Sequence, residues 1–107
     1  MKINAAYVYR IFLIKEFDIF KKTIKFDGNE LDRVSGYIHM SRKTQLKETL
    51  NKYFKEDDVL IGEFKVDCLF ISLRWEVSRN KDLFPHLYSK LKYSWLNKVY
   101  DKLNYDL

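Results

Sequence analysis

Stretches of β-branched and aromatic residues lie on both sides of one clear helical repeat. The stretches are residues 7–14 (YVYRIFLI), 58–66 (DVLIGEFKV) and 69–77 (LFISLRWEV), and each predicts a β-strand. The repeat consists of Leu46, Leu50, Tyr53 and Phe54, at positions i, i+4, i+7 and i+8. It predicts a helix over residues 42–54 with Ser41 as its N-cap, packed through Leu46, Leu50 and Phe54.

Shorter sequence patterns predict the secondary structure of the rest of the chain. Phe17, Phe20 and Ile24 predict a short helix that ends near the turn FDGN. Residues 35–41 (SGYIHMS) alternate, so we expect a strand with Ile38 and Met40 on one face and Tyr37, His39 and Ser41 on the other. Residues 84–91 (FPHLYSKL) predict another strand, in which Pro85 fits best at the start or on a sheet edge. Residues 92–107 fit a helix as well as a strand.

These elements indicate one α+β domain over residues 1–107, built on a mainly antiparallel sheet with two or three short helices. A chain of this length buries one core but not two. We find no internal repeat, linker or low-complexity segment.

Charge and cysteine content bound the function. Twenty Lys and Arg against fifteen Asp and Glu give a formal net charge of +5, but these charges are spread along the chain and do not indicate a dedicated nucleic-acid surface. The single cysteine, Cys68, lies in the apolar segment VDCLFI, which predicts a buried and inert thiol. No apolar run is long enough to cross a membrane. We expect a soluble cytoplasmic protein that is a monomer or a weak dimer.

Metal and phosphate-loop motifs are missing from the sequence. Two histidines and one cysteine, with no CxxC or HExxH spacing, predict no metal site. Three glycines that lie far apart exclude a glycine-rich phosphate loop.

The segment RWEVSRNKDLFPHLY, residues 74–88, combines large aromatic side chains with charged and ionisable ones. We expect Trp75, Phe84 and Tyr88 to be core residues. Arg79 is suited to grip a phosphate, and His39 to contact a ribose hydroxyl or a phosphate. The simpler alternatives are that His39 is satisfied by a backbone carbonyl and that Glu76 pairs with Arg79 at the surface. The pattern itself indicates an anion or nucleotide pocket near His39 and His86.

The same segments carry a family resemblance. YRI (9–11), FDGNELD (26–32), GYIHMS (36–41), LRWEVSR (73–79) and LFPHLY (83–88) occur in an order that resembles the bacterial domain-of-unknown-function family 952, over residues 7 to about 99. That family is similar in fold to the ADP-ribosyltransferases, and GYIHMS is similar to the histidine-bearing strand of RNA 2'-phosphotransferases.

The resemblance implies a split β-sheet with a cleft for NAD-like ligands and an ADP-ribosyltransferase-like transferase. His39 corresponds to the motif histidine at the nicotinamide-side ribose or the phosphate. On residue chemistry we add Glu76 as the second catalytic residue, with Tyr37, Ser41, Arg79 and His86 as ligand-binding residues. The alternative function is a non-catalytic module that recruits a protein or RNA through a basic, aromatic-rich surface.

Overall fold

Eight strands and four helices make up residues 5–105 in a computed structural model, and every strand pairing among them is antiparallel. The strands are β1 Tyr7–Leu13, β2 Lys25–Phe26, β3 Ile38–His39, β4 Val59–Lys65, β5 Leu73–Val77, β6 Leu83–Leu87, β7 Leu91–Lys92 and β8 Leu96–Asp101. The helices are α1 Ile14–Thr23, α2 Glu30–Ser35, α3 Leu46–Tyr53 and α4 Val66–Leu69. The predicted α+β class with antiparallel sheets is confirmed, but the described residues contain four helices and not the predicted two or three. Residues 1–4 and 106–107 of the predicted domain lie outside the described residues.

The first sheet has the order β1–β4–β8 and is covered by α3. Leu46 and Leu50 are buried against Ile11 and Ile61 of that sheet, and Phe54 packs beside them. This confirms the predicted helix, although its first turn is a 3-10 turn at Lys43–Gln45. The other face of the sheet meets a cluster of phenylalanines, in which Phe12 and Phe20 stack 5.2 Å apart.

The second large sheet has the order β3–β6–β5, and it carries the residues of interest. Successive side chains along its strands point to opposite faces of the sheet. Ile38, Leu73 and Leu87 are buried in the core, while Tyr37, His39, His86 and Glu76 belong to the opposite face. A two-stranded pair, β2–β7, completes the β-structure of the described residues.

Pro85 is not at a strand start or a sheet edge, as predicted, but is buried in the middle strand β6. Its carbonyl accepts a hydrogen bond from the Met40 backbone N–H at 3.1 Å. The N–H and C=O of one residue in an antiparallel strand face the same neighbour, so the missing N–H faces β3. β3 ends at His39, so Pro85 stands at the end of its pairing with β6, where one hydrogen bond from Met40 continues that pairing. The sheet therefore accommodates a proline at its centre.

Four further predictions need correction. The strand predicted over residues 35–41 is only β3, because Ser35 ends helix α2 and Gly36 follows it with a left-handed φ of 86°. Ser41 is not an N-cap: it forms a bridge with Tyr9, and the Gln45 Oε1 accepts the Arg42 backbone N–H instead. Cys68 is exposed because it lies on the short helix α4. Tyr88 is 46% exposed and is not a core residue.

The ambiguous tail forms a strand where it is described. Residues Tyr93–Trp95 make a 3-10 turn, and β8 then pairs with β4. The last two residues of the predicted range 92–107 lie outside the described part of the chain. No helix within residues 5–105 has the length and apolarity to cross a membrane.

Candidate functional site

The two histidines are direct cross-strand partners. His39 of β3 pairs with His86 of β6, and directly opposite residues in antiparallel strands place their side chains on one face. Their ring centroids lie 5.8 Å apart with the ring planes at 67°. Both imidazoles line the same cleft.

A buried carboxylate holds His39. The Asp32 Oδ1 lies 2.7 Å from His39 Nδ1 and accepts the His39 backbone N–H at 2.9 Å. Arg10 binds the same carboxylate in a bidentate manner, with its Nη1 3.0 Å from Oδ1 and its Nη2 3.0 Å from Oδ2. Arg10 also donates to the His39 carbonyl at 2.9 Å. His39 is thus held through both its ring and its backbone.

Helix α2 positions Asp32. Asn29 is the N-cap: its side chain accepts the Asp32 N–H at 3.0 Å, and Asp32 Oδ2 accepts the Asn29 N–H at 2.7 Å. Gly28 has a φ of 99°, and a Cβ there would come within 2.5 Å of the Asp32 Cβ. Burial alone raises the pKa of Asp32, but the His39 hydrogen bond and the Arg10 charge outweigh it and hold that pKa well below its usual range. Asp32 is therefore a fixed anion.

A second carboxylate holds His86. The Glu76 Oε1 lies 2.8 Å from His86 Nδ1 and accepts the Tyr88 hydroxyl at 2.7 Å. These hydrogen bonds, that of Tyr88 first, lower the pKa of Glu76. Burial lowers the pKa of His86, and the hydrogen bond and charge of Glu76 oppose that shift in part. His86 therefore favours its neutral form.

Tyr37 packs on both rings. Its ring stacks on His86 at a centroid distance of 4.0 Å and lies 4.7 Å from His39. With Nδ1 of each histidine committed to a carboxylate, the free ring atom is Nε2. Neither Nε2 has a protein hydrogen-bond partner among residues 5–105. Both remain available to a ligand.

Arg79 is held at a third side of the cleft. Its Nη2 donates to the Thr49 hydroxyl at 2.7 Å, and its Cζ lies 5.0 Å from the centre of the Phe84 ring. The side chain is 14% exposed, yet its Nε and Nη1 are buried without a hydrogen-bond partner. Glu48 lies 3.7 Å from Nε, which is a charge contact beyond hydrogen-bonding distance. Two cationic donors thus lack an acceptor.

These residues surround a cleft of about 410 Å³. Its lining includes Arg10 and Asp32, the predicted residues His39, Ser41, Arg79 and His86, and the aromatic residues Tyr9, Tyr53, Phe54 and Phe84. A volume and a lining of this kind are typical of small-molecule sites. Within residues 5–105 no group of three or more potential ligand side chains is arranged to hold a metal ion.

Two predicted residues do not line the cleft. Tyr37 and Glu76 are absent from its lining, although both contact His86. Glu76 does not pair with Arg79, which contacts α3 instead.

Sequence reasoning missed Asp32 and Arg10, although both lie in motifs that carry the family resemblance. The spacing of Asn29 and Asp32, an N-cap and its third helical residue, was the available signal.

Comparisons with known proteins agree with this architecture. The Caulobacter crescentus protein CC0527, a structural genomics target, has a crystal structure that matches with a TM-score of 0.84 and 32% sequence identity, over 89% of this chain and 84% of that chain. Its solution NMR structure matches with a TM-score of 0.79 and 32% identity, over 89% and 83% of the two chains. No curated protein matches this chain significantly. The family described as "Protein of unknown function (DUF952)" matches residues 11–99, and the chain belongs to that family.

Proposed function

We propose that the cleft binds a phosphate-bearing nucleotide, with NAD as the first candidate. The observation that carries the proposal is Arg79, whose Nε and Nη1 are buried beside the cleft with no hydrogen-bond partner. Buried cationic donors without an acceptor are costly, and phosphate oxygens are strong acceptors for such donors. The net charge of +5 favours the approach of such an anion.

The ribose of the ligand binds beside His39 and His86. Each imidazole presents a free Nε2 that accepts a hydrogen bond from a ribose hydroxyl when the ring is neutral. Ser41 lines the cleft next to them and offers a further hydroxyl. Glu76 acts in this arrangement through His86, whose orientation it fixes, because its own oxygen is already shared between His86 and Tyr88.

If the cleft is catalytic, we propose an ADP-ribosyltransferase-like reaction. This part of the proposal is based on the family resemblance. Such chemistry requires the ribose to be positioned and positive charge at its reacting carbon to be stabilised. Asp32 is a permanent anion that lines the cleft and contacts the ring of His39.

Thermal shifts test the binding step. The protein is heated with NAD, ADP-ribose, AMP or inorganic phosphate, and a ligand at 100 times its dissociation constant stabilises the fold by about 2.7 kcal/mol. The affinity of the best ligand is then measured by calorimetry for Arg79→Gln. Loss of a hydrogen-bonded charge predicts a weakening of about tenfold to a hundredfold.

Lys22→Gln is the control, because it removes one positive charge from an exposed position outside the cleft lining. It should bind the ligand as the parent protein does. If no nucleotide shifts the midpoint, or if Arg79→Gln and Lys22→Gln bind equally well, the proposed site is wrong. The absence of any nucleotide effect would favour the alternative of an interaction module.

A further inference from the structure

The two histidines are held in the same way on one face of the sheet. Each ring is fixed by a carboxylate at Nδ1 and leaves Nε2 free. Their centroids are 5.8 Å apart, so one bound ligand is within reach of both rings. The partly buried guanidinium of Arg79 lines the same cleft and has free donors that can bind a phosphate.

The environments of the two rings differ in a way that assigns their roles. The His86 side chain is 4% exposed and stacks on Tyr37, and burial lowers its pKa and favours the neutral ring. A neutral imidazole accepts a proton. The His39 side chain is 33% exposed and contacts the Asp32 carboxylate, so it is the ring that is open to solvent. The remaining role, that of proton donor, falls to this ring.

The cleft also offers an aromatic surface. Tyr53 is 59% exposed, lines the cleft and lies with its ring centre 5.5 Å from the Arg79 Cζ. Exposed aromatic rings beside a cation are the usual stacking platforms for unpaired nucleic-acid bases. A base on Tyr53 would place its attached phosphate near Arg79.

We propose that this site cleaves single-stranded RNA by transesterification, with His86 as the general base and His39 as the general acid. The inference rests on the proposed function for the phosphate contact of Arg79. His86 Nε2 takes the proton of a ribose 2'-hydroxyl while that oxygen forms a bond to the adjacent phosphorus. The bond from phosphorus to the 5'-oxygen breaks, and His39 Nε2 gives its proton to that oxygen. The products are a 2',3'-cyclic phosphate and a free 5'-hydroxyl, and solvent restores both protonation states.

The test uses the dinucleoside phosphate uridylyl-(3'→5')-adenosine and its 2'-deoxy analogue, with EDTA present. Chromatography follows the 2',3'-cyclic phosphate, and calorimetry measures binding of the analogue. We expect the protein to cleave the ribo form and to bind the deoxy form without cleaving it. His39→Ala and His86→Ala should each lower the cleavage rate by about a hundredfold or more while the analogue still binds.

Lys22→Gln, purified in the same way, should cleave at the parent rate. His86 is buried, so its variant is checked for folding, and His39→Ala decides alone if that variant does not fold. Binding that depends on Arg79 without any cleavage overturns this inference and leaves the proposed function intact. Cleavage that persists in the histidine variants shows a contaminating nuclease and also overturns the inference. If the analogue and all nucleotides fail to bind, both proposals fail.

Discussion

The two carboxylate–histidine pairs of this protein have opposite patterns of burial. In Asp32–His39 the acid is 1% exposed and the imidazole 33% exposed, whereas in Glu76–His86 the imidazole is 4% exposed and the acid 42% exposed. A buried carboxylate must be satisfied by charge and hydrogen bonds, and Asp32 has Arg10, His39 and Asn29 for that purpose. An exposed carboxylate needs no such support. The Asp32 carboxylate is therefore part of the folding framework. The Glu76 carboxylate orients His86 from the surface and contributes little to stability.

The largest expected effect is the loss of the buried acid. Asp32→Asn leaves the Arg10 guanidinium buried without a counter-charge and should lower the free energy of unfolding by about 3–5 kcal/mol. The matched change Glu76→Gln acts on an exposed group and should cost far less. Urea denaturation of both variants measures the difference. Equal losses would contradict the distinction between the two pairs.

Acid should destabilise the protein through the same residue. The pKa of Asp32 is lowered in the fold, so its contribution to stability is complete above the unfolded value of about 3.9 and is lost as the pH falls below it. The free energy of unfolding of the parent protein should therefore fall steeply below about pH 4. Asp32→Asn, which cannot ionise, should show a shallower fall. Parallel curves for the two proteins would mean that other carboxylates dominate acid unfolding.

Removing the ring that stacks on His86 should have an intermediate effect. Tyr37→Leu loses the 4.0 Å stack and should cost about 0.5–1.5 kcal/mol. Tyr37→Phe keeps the ring and serves as the control, with an expected change near zero. Thermal unfolding of both variants is the measurement. A loss in Tyr37→Phe equal to that in Tyr37→Leu would show that the hydroxyl, and not the stack, matters.

The smallest effect is expected at the exposed end of the second pair. Tyr88→Phe removes the hydroxyl that donates to Glu76 Oε1 at 2.7 Å. The pKa of Glu76 should rise toward its ordinary value, while the free energy of unfolding should hardly change. An NMR titration of the Glu76 carboxyl carbon detects the shift. An unchanged titration would show that the Tyr88 hydrogen bond does not stabilise this carboxylate in solution.

Local patterns predicted much of this architecture. Alternation alone placed His39 on the face opposite Ile38 and Met40, and helical spacing alone identified Leu46 and Leu50 as buried. These features depend on the periods of a strand and a helix, which short stretches of sequence express directly. The family resemblance, carried by the same motifs, was also correct.

Features that depend on distant parts of the chain were not predictable in this way. The pairing of His39 with His86 joins residues 47 positions apart, and only the register of β3 on β6 makes them neighbours. Pro85 is tolerated because β3 ends beside it, a property of another strand. Asp32 was missed because α2 has only six residues and too few apolar positions to show a helical period. Cys68 is exposed because a single helical turn lies inside an otherwise apolar segment.

The most direct test of the shared cleft is an NMR titration of both imidazoles with the best nucleotide found by thermal shift. His39 and His86 are the two histidines of the sequence, so their ring signals are easily assigned with one variant of each. We predict that both sets of ring signals shift together and give the same dissociation constant, and that Arg79→Gln weakens that constant. Signals that stay unchanged at saturating nucleotide, or that report two different constants, would contradict a single nucleotide site formed by both pairs.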